Sequence, residues 1–190
     1  IYSQSILENN TVRFYLPDYE KNKTVVIDPW VVNPGFPAPD KAFDIAKDAA
    51  GNVYVYGGGN PYQLKKFDPS GNPSWSYTTT YTMGHGDLAV DPAGNSYITN
   101  AWPSGEIQKI GPAGNALWKR PIGSNEFWCL AFDCSFNNLY LGTGLTPNAG
   151  IPPNSIANVN LSTGAVTSGT VLNTGGSEPR AIAYAPNGNI

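Results

Sequence analysis

Asp44 and Asp87 are the first side chains whose placement suggests chemistry, because they fall 43 residues apart at the same point of two matching segments. Two carboxyl groups brought together can hold a cation. Later copies of the segment carry Cys129 and Ala181 at that point, which breaks any ring of acids and favours a structural use, the bonding of neighbouring backbone amides. His85 is the only histidine, so neither a histidine-rich metal set nor a Ser-His-Asp arrangement can be assembled around it from these residues. Cys129 and Cys134, on one extended stretch, would lie roughly 16 Å apart, beyond disulfide reach, and read as two buried thiols. The run Gly57-Gly58-Gly59 has no helix to follow it, and no Gly-Lys-Ser/Thr phosphate loop is present. The Asp-x-x-Gly-Asn turns lack the alternating acids and closing glutamate of an EF-hand loop. The residues therefore lead us to expect no catalytic residue, no metal and no cofactor.

What must position these residues is legible in composition and repetition. The chain has 190 residues with 21 Gly, 17 Pro, 11 Tyr and 5 Trp, is 41% hydrophobic and only 13% charged, and carries a net charge of -3. Turn and strand formers are enriched and charged helix formers scarce, which predicts an all-β chain. Nothing resembles the basic footprint of a nucleic-acid binder. The stretch from Val25 to Val32 is broken by Asp28 and Pro29, so no run reaches the roughly 18 apolar residues of a membrane span. The start at Ile1, with neither an initiator Met nor a signal segment, leads us to expect that the natural start was removed or lies upstream.

The segment from Phe43 to Tyr54 returns at Gly86 to Tyr97 with an offset of 43, again from Trp128 to Tyr140, and again from Arg180 onward. The second half of the unit repeats too: Leu64 to Trp75 matches Ile107 to Trp118, and the third unit, Ile156 to Val166, arrives late behind a Pro-rich insertion at Thr146 to Asn154. Each unit reads as four short strands, which in the first are Asp44–Asp48, Val53–Gly57, Gln63–Asp68 and Ser74–Thr78. In Asp91-Pro92-Ala93-Gly94-Asn95 the Asp accepts from amides ahead, Pro presets φ and Gly takes the left-handed position. Four antiparallel strands per period of about 43 residues match a β-propeller blade. Trp75 and Trp118 repeat in phase and read as blade core.

These units resemble the NHL and related SBBP-type propeller repeats of Bacteroidetes. The lead-in Thr11 to Pro17 with Thr24 to Trp30 resembles the short β-segment before such propellers in large cell-surface proteins. The resemblance implies export by type IX secretion and a location outside the outer membrane of a Gram-negative bacterium. It gives two regions: residues 1–40, an N-terminal β-segment or connector, and residues 41–190, three blades plus the first strand of a fourth, expected to belong to a longer chain. By the family's blade geometry, the uniform Asp/Gly/Asn turns share one face and the irregular loops the other. Binding residues collect on varied loops of a fixed scaffold, and that face offers Tyr62, His85, Trp102, Glu126 and Arg180, while Asp44 and Asp87 become candidates to line the axial channel. The expectation is a non-enzymatic surface module for protein or glycan binding and adhesion, with secretion machinery as a further partner, no nucleic-acid partner and no membrane insertion. The alternative is a metal-dependent propeller lyase or hydrolase whose site is completed by further blades.

Overall fold

The turn that the sequence repeats decides where the strands stop. Asp48 Oδ1 accepts from the Ala50 and Asn52 amides at 3.0 and 2.9 Å, and Oδ2 accepts from Asn52 Nδ2 at 2.7 Å. Asp68 bonds Ser70 and Asn72 in the same way, Asp91 bonds Asn95, and Asp133 bonds Asn137 and Asn138. These are Asp-closed hairpin turns, with Gly51, Gly71 and Gly94 at φ of 84°, 84° and 83°. Burial raises the Asp48 carboxyl, but the Asn52 and Tyr54 bonds outweigh it and hold the group below its ordinary value.

The computed structural model describes residues 4–9, 11–15, 22, 31–38, 41–59, 61–81, 84–102, 105–121, 126–144, 151 and 153–185. The chain divides into two units, Ile1–Val31 and Val32–Ile190. In the first, β1 (Gln4–Glu8) and β2 (Thr11–Tyr15) form an antiparallel hairpin. The lead-in segment at Thr24 to Trp30 lies outside the described residues.

The second unit is all-β, built of propeller blades. Its first blade is β3 (Ala42–Lys47), β4 (Val53–Gly58), β5 (Tyr62–Phe67) and β6 (Pro73–Thr78). The second is β7 (His85–Val90), β8 (Ser96–Asn100), β9 (Glu106–Ile110) and β10 (Ala116–Pro121). The third is β11 (Phe127–Phe132), β12 (Leu139–Thr143), β13 (Ser155–Val159) and β14 (Val166–Asn173). Each is a four-stranded antiparallel meander in sequence order, and the described strands do not close into a barrel. The strand positions read from the repeat shift by only one or two residues.

Because side chains alternate across a strand, each blade offers one row to the blade before it and one to the blade after. Tyr54, Tyr56, Tyr62 and Leu64 pack against Leu88, Val90, Ile98 and Ile110. One blade on, Tyr97, Ile107 and Phe127 pack with Leu130, Leu139, Leu141 and Val159. The rim is locked by a repeated device: Trp75 Nε1 donates to the Pro112 carbonyl at 2.9 Å, and Trp118 Nε1 to the Leu161 carbonyl at 3.2 Å. Lys66 and Lys109 lie over the Tyr54 and Tyr97 rings at 5.2 and 5.1 Å. The tryptophans are thus half-buried seals packed against the core between blades.

One expectation needs correction. Cys129 is buried but Cys134 is exposed, because Cys134 falls in the turn between β11 and β12. Arg180 to Ala185 carries no strand pairing among the described residues. Its side chains still take a next blade's place. Tyr184 stacks on Tyr140 with centroids 5.9 Å apart, where in the preceding pair Phe132 meets Tyr97 at 5.4 Å.

Candidate functional site

Each blade's first strand slips register against its second at the same point, at Phe43 in β3, at Gly86 and Asp87 in β7, and at Trp128 in β11. A bulge bends a strand and re-aims its side chains. These bulged residues, with Asp44 and Arg180, line a cavity of about 430 Å³ beside the first strands. Gly86 is required there, since a Cβ would sit 2.1 Å from Thr99 Oγ1 and 2.8 Å from the Phe127 carbonyl oxygen.

Asp87 is the joint of the site. Its Oδ2 accepts from the Leu130 amide at 2.6 Å, reaching from the second blade to the first strand of the third, and its Oδ1 accepts from the Leu88 amide at 2.8 Å. Asp44 makes the equivalent reach to Leu88 and is hydrogen-bonded to the Asp87 side chain. In the third blade Cys129 occupies this position and its Sγ donates to the Pro179 carbonyl at 3.2 Å. The amide-bonding role expected for these acids is the one the geometry displays, with an added feature: the Asp44 carboxyl is hydrogen-bonded to that of Asp87.

Burial, the bond to Asp87 and the Asp87 charge push the Asp44 carboxyl up to about 8, against a weaker pull from the Leu88 amide. A folded state that keeps a proton the unfolded chain releases near 3.8 is stabilised at low pH, and the gain is lost as pH rises towards 8. Asp44 is half-exposed, so solvent screening trims the effect. Asp44→Asn should melt with the wild type near pH 4 and about 2–4 °C above it at pH 9. Scanning calorimetry across that range checks this, and parallel melting profiles contradict it.

A second cluster forms the cavity's other wall. The Arg180 guanidinium lies 3.5 Å from the Trp128 ring centroid and pairs with Glu178. Trp128 Nε1 donates to Glu126 Oε2 at 3.1 Å. Burial, then the bond to Glu178, raises the Glu126 carboxyl, and the indole bond opposes them. Burial, then the Asp87 charge, pushes the Cys129 thiol up to about 12, which keeps it protonated and unreactive.

The residues named from sequence are thus sorted by position. Asp44, Asp87 and Arg180 line one cavity, and Glu126 stands behind it through Trp128. Trp102 is 45% exposed on the loop after β8. Tyr62 is 8% exposed, packed against Phe43 and Tyr56 in the core between blades, so its ring is unavailable to a ligand. His85 opens β7 opposite Asn100; its side chain lies outside the described residues. Sequence reading passed over Phe43, Trp128 and Glu178. The first two carried a signal, since Phe43, Gly86 and Trp128 occupy one repeat position. Glu178 carried none.

No protein-family model matches the chain, and no curated protein matches it. Among solved structures, one described as the eukaryotic initiation factor aligns with 72% of this chain and 33% of its own, at TM-score 0.52 and 13% identity. A protein of unknown function from Bacteroides caccae aligns with 65% of this chain and 43% of its own, at TM-score 0.46 and 18% identity. The chain therefore spans less than half the length of either. At 13% identity the first likeness speaks to the fold alone.

Proposed function

We propose that the chain is a non-catalytic binding module of an extracellular or cell-surface protein, and that the cavity beside the first strands takes a glycan. The observation that carries this reading is the make-up of that cavity: the paired carboxyl groups of Asp44 and Asp87, a guanidinium at Arg180, and aromatic surface at Phe43 and Trp128, around about 430 Å³. Hydroxyl-rich rings need closely placed donors and acceptors beside apolar faces, and small-ligand sites fall in this size range. Trp102, exposed on the irregular-loop side, supplies a second aromatic surface on which a longer chain of sugars can rest. The likeness of the repeat to NHL/SBBP-type propellers supports export and a place at the cell surface.

The test is a glycan array probed with the wild-type chain, followed by calorimetric titration of any retained glycan against Arg180→Ala and Trp102→Ala. Arg180→Ala should weaken binding about tenfold or more, and Trp102→Ala less, with a larger effect on longer glycans. An array with no retained glycan, or binding indifferent to Arg180→Ala, overturns the assignment of this cavity.

A further inference from the structure

The irregular loops after β6 and after β8 are tied to one another at two points. At the first, Lys119 on β10 reaches both: its Nζ donates to Thr80 Oγ1 at 2.6 Å and pairs with Glu106 Oε1 at 2.9 Å. Glu106 opens β9, where the second loop returns to the sheet; it is buried and also accepts from Gln108 Nε2 at 2.7 Å. The Lys119 ammonium lies 5.7 Å from the centroid of the buried Tyr81 ring. The Tyr81 amide donates to Thr79 Oγ1, which in turn donates to the Tyr62 carbonyl. A lysine shared between a buried carboxylate and the neighbouring loop fixes the two loops to each other, because a buried charge left without its partner is costly.

The second point is Gly84, just before β7. The amide of the fully buried Ala101 donates to the Gly84 carbonyl at 3.0 Å. Gly84 sits at φ 65°, and a Cβ there would lie 2.5 Å from the Trp102 backbone nitrogen and 2.9 Å from its Cα. The Gly84 backbone therefore lies directly against that of Trp102, in a conformation and a space that only glycine fits. Trp102 thus combines a held main chain with an indole open to solvent. Two residues on, Gly86 lines the cavity, so the residue that seats Trp102 and the cavity wall are at most about 7 Å apart along the chain.

We propose that Gly84 and the Lys119–Glu106 pair are positioning residues for the glycan site: they hold Trp102 beside the cavity, where its indole takes the part of a sugar chain that extends out of it. The inference rests on the glycan reading of that cavity. An aromatic side chain on a free loop is ordered only at the moment of binding and loses affinity to that ordering, whereas here the loop is already ordered on folding. Selectivity for chain length follows. The cavity alone serves a short glycan, and the cavity together with Trp102 serves a longer one. Every group in this arrangement belongs to the first two blades.

The test replaces the five tryptophans with 5-fluorotryptophan, assigns Trp102 by Trp102→Phe, and records fluorine-19 spectra of the wild type, Gly84→Ala and Lys119→Met. The unlabelled chains, with Trp102→Ala and Gly84→Ala combined with Trp102→Ala, are then bound to an array of mono- to hexasaccharides. The Trp102 resonance should shift or broaden in Gly84→Ala and in Lys119→Met. The Trp75 resonance should stay in place, which separates a displaced loop from a misfolded blade. Gly84→Ala should weaken retention of the longest sugars about fivefold or more and leave the shortest unchanged. Trp102→Ala should show the same split, and the two combined should lose no more than either alone. Lys119→Met guards against a folding defect specific to Gly84→Ala and should show the same preference for loss of the longer sugars. A Trp102 resonance unmoved in both Gly84→Ala and Lys119→Met, or losses equal for short and long sugars, overturns the proposal. A wild type that retains no glycan overturns the glycan reading instead, and the resonances then still decide whether these residues hold Trp102.

Discussion

Asp87→Ala is expected to lower the unfolding free energy by about 2–3 kcal/mol. The Leu130 amide sits in a buried strand and donates to Asp87 Oδ2 at 2.6 Å, so alanine leaves it without that acceptor. The Leu88 amide keeps its bond to Asp44, which spares the first seam. The damage should therefore be local to the junction of the second and third blades. Urea unfolding should show the loss, and hydrogen exchange should place it in β11 and leave β3 protected. A loss spread evenly over all three blades contradicts this account of the joint. Asp87→Asn should cost less, because its carbonyl oxygen can keep the Leu130 bond while its amide group faces Asp44.

Gly164→Ala is expected to cost about 3 kcal/mol and Gly114→Ala nearly as much, while Gly51→Ala costs only about 1 kcal/mol. All three glycines hold left-handed φ, at 71°, 84° and 84°, so the intrinsic cost of a side chain is alike. The surroundings differ. A Cβ on Gly164 would lie 2.6 Å from the Trp118 ring and one on Gly114 2.8 Å from Trp75, but on Gly51 the first atom met is Pro69 at 3.7 Å. An indole held by its N–H to the next blade's carbonyl cannot step aside without breaking the rim lock. The decisive control is Trp75→Ala combined with Gly114→Ala, which should cost clearly less than the sum of the two. Chemical denaturation of the five variants reads this, and three equal glycine effects would falsify the rim lock as the cause.

Much of the fold was legible because the sequence repeats its punctuation. Asp48, Asp68, Asp91 and Asp133 each close a turn with their own side chains, so strand ends could be read from local chemistry. The site was legible only in part. The repeat put Asp44 and Asp87 at one position, and that suffices to bring them together once first strands stand beside one another. It could not show that a bulge at Phe43, Gly86 and Trp128 turns the cavity-lining side chains inward, because a bulge is a mismatch between two strands and no single segment contains it. Tyr62 looked like a loop residue available to ligands, yet one residue of extra strand places its ring between blades. The stack of Arg180 on Trp128 joins residues 52 apart that hold one repeat position in successive copies, and a repeat gives the shared position without showing that the two side chains touch. Cys134 shows the same limit from the other side: its repeat neighbours are turn residues, and the turn, not the residue type, decides its exposure.

Successive blades bring their first strands into register, so that Asp44 and Asp87 meet at the cavity and the Asp44 carboxyl keeps its proton well above the ordinary range. Carbon-13 titration of the aspartate side-chain carboxyls, assigned by Asp44→Asn, tests it directly. One carboxyl, that of Asp44, should show a midpoint near 8, and that signal should be lost in the variant. Midpoints for every aspartate in the ordinary carboxylate range, about 4, would contradict both the meeting of the two acids and the cavity built around them.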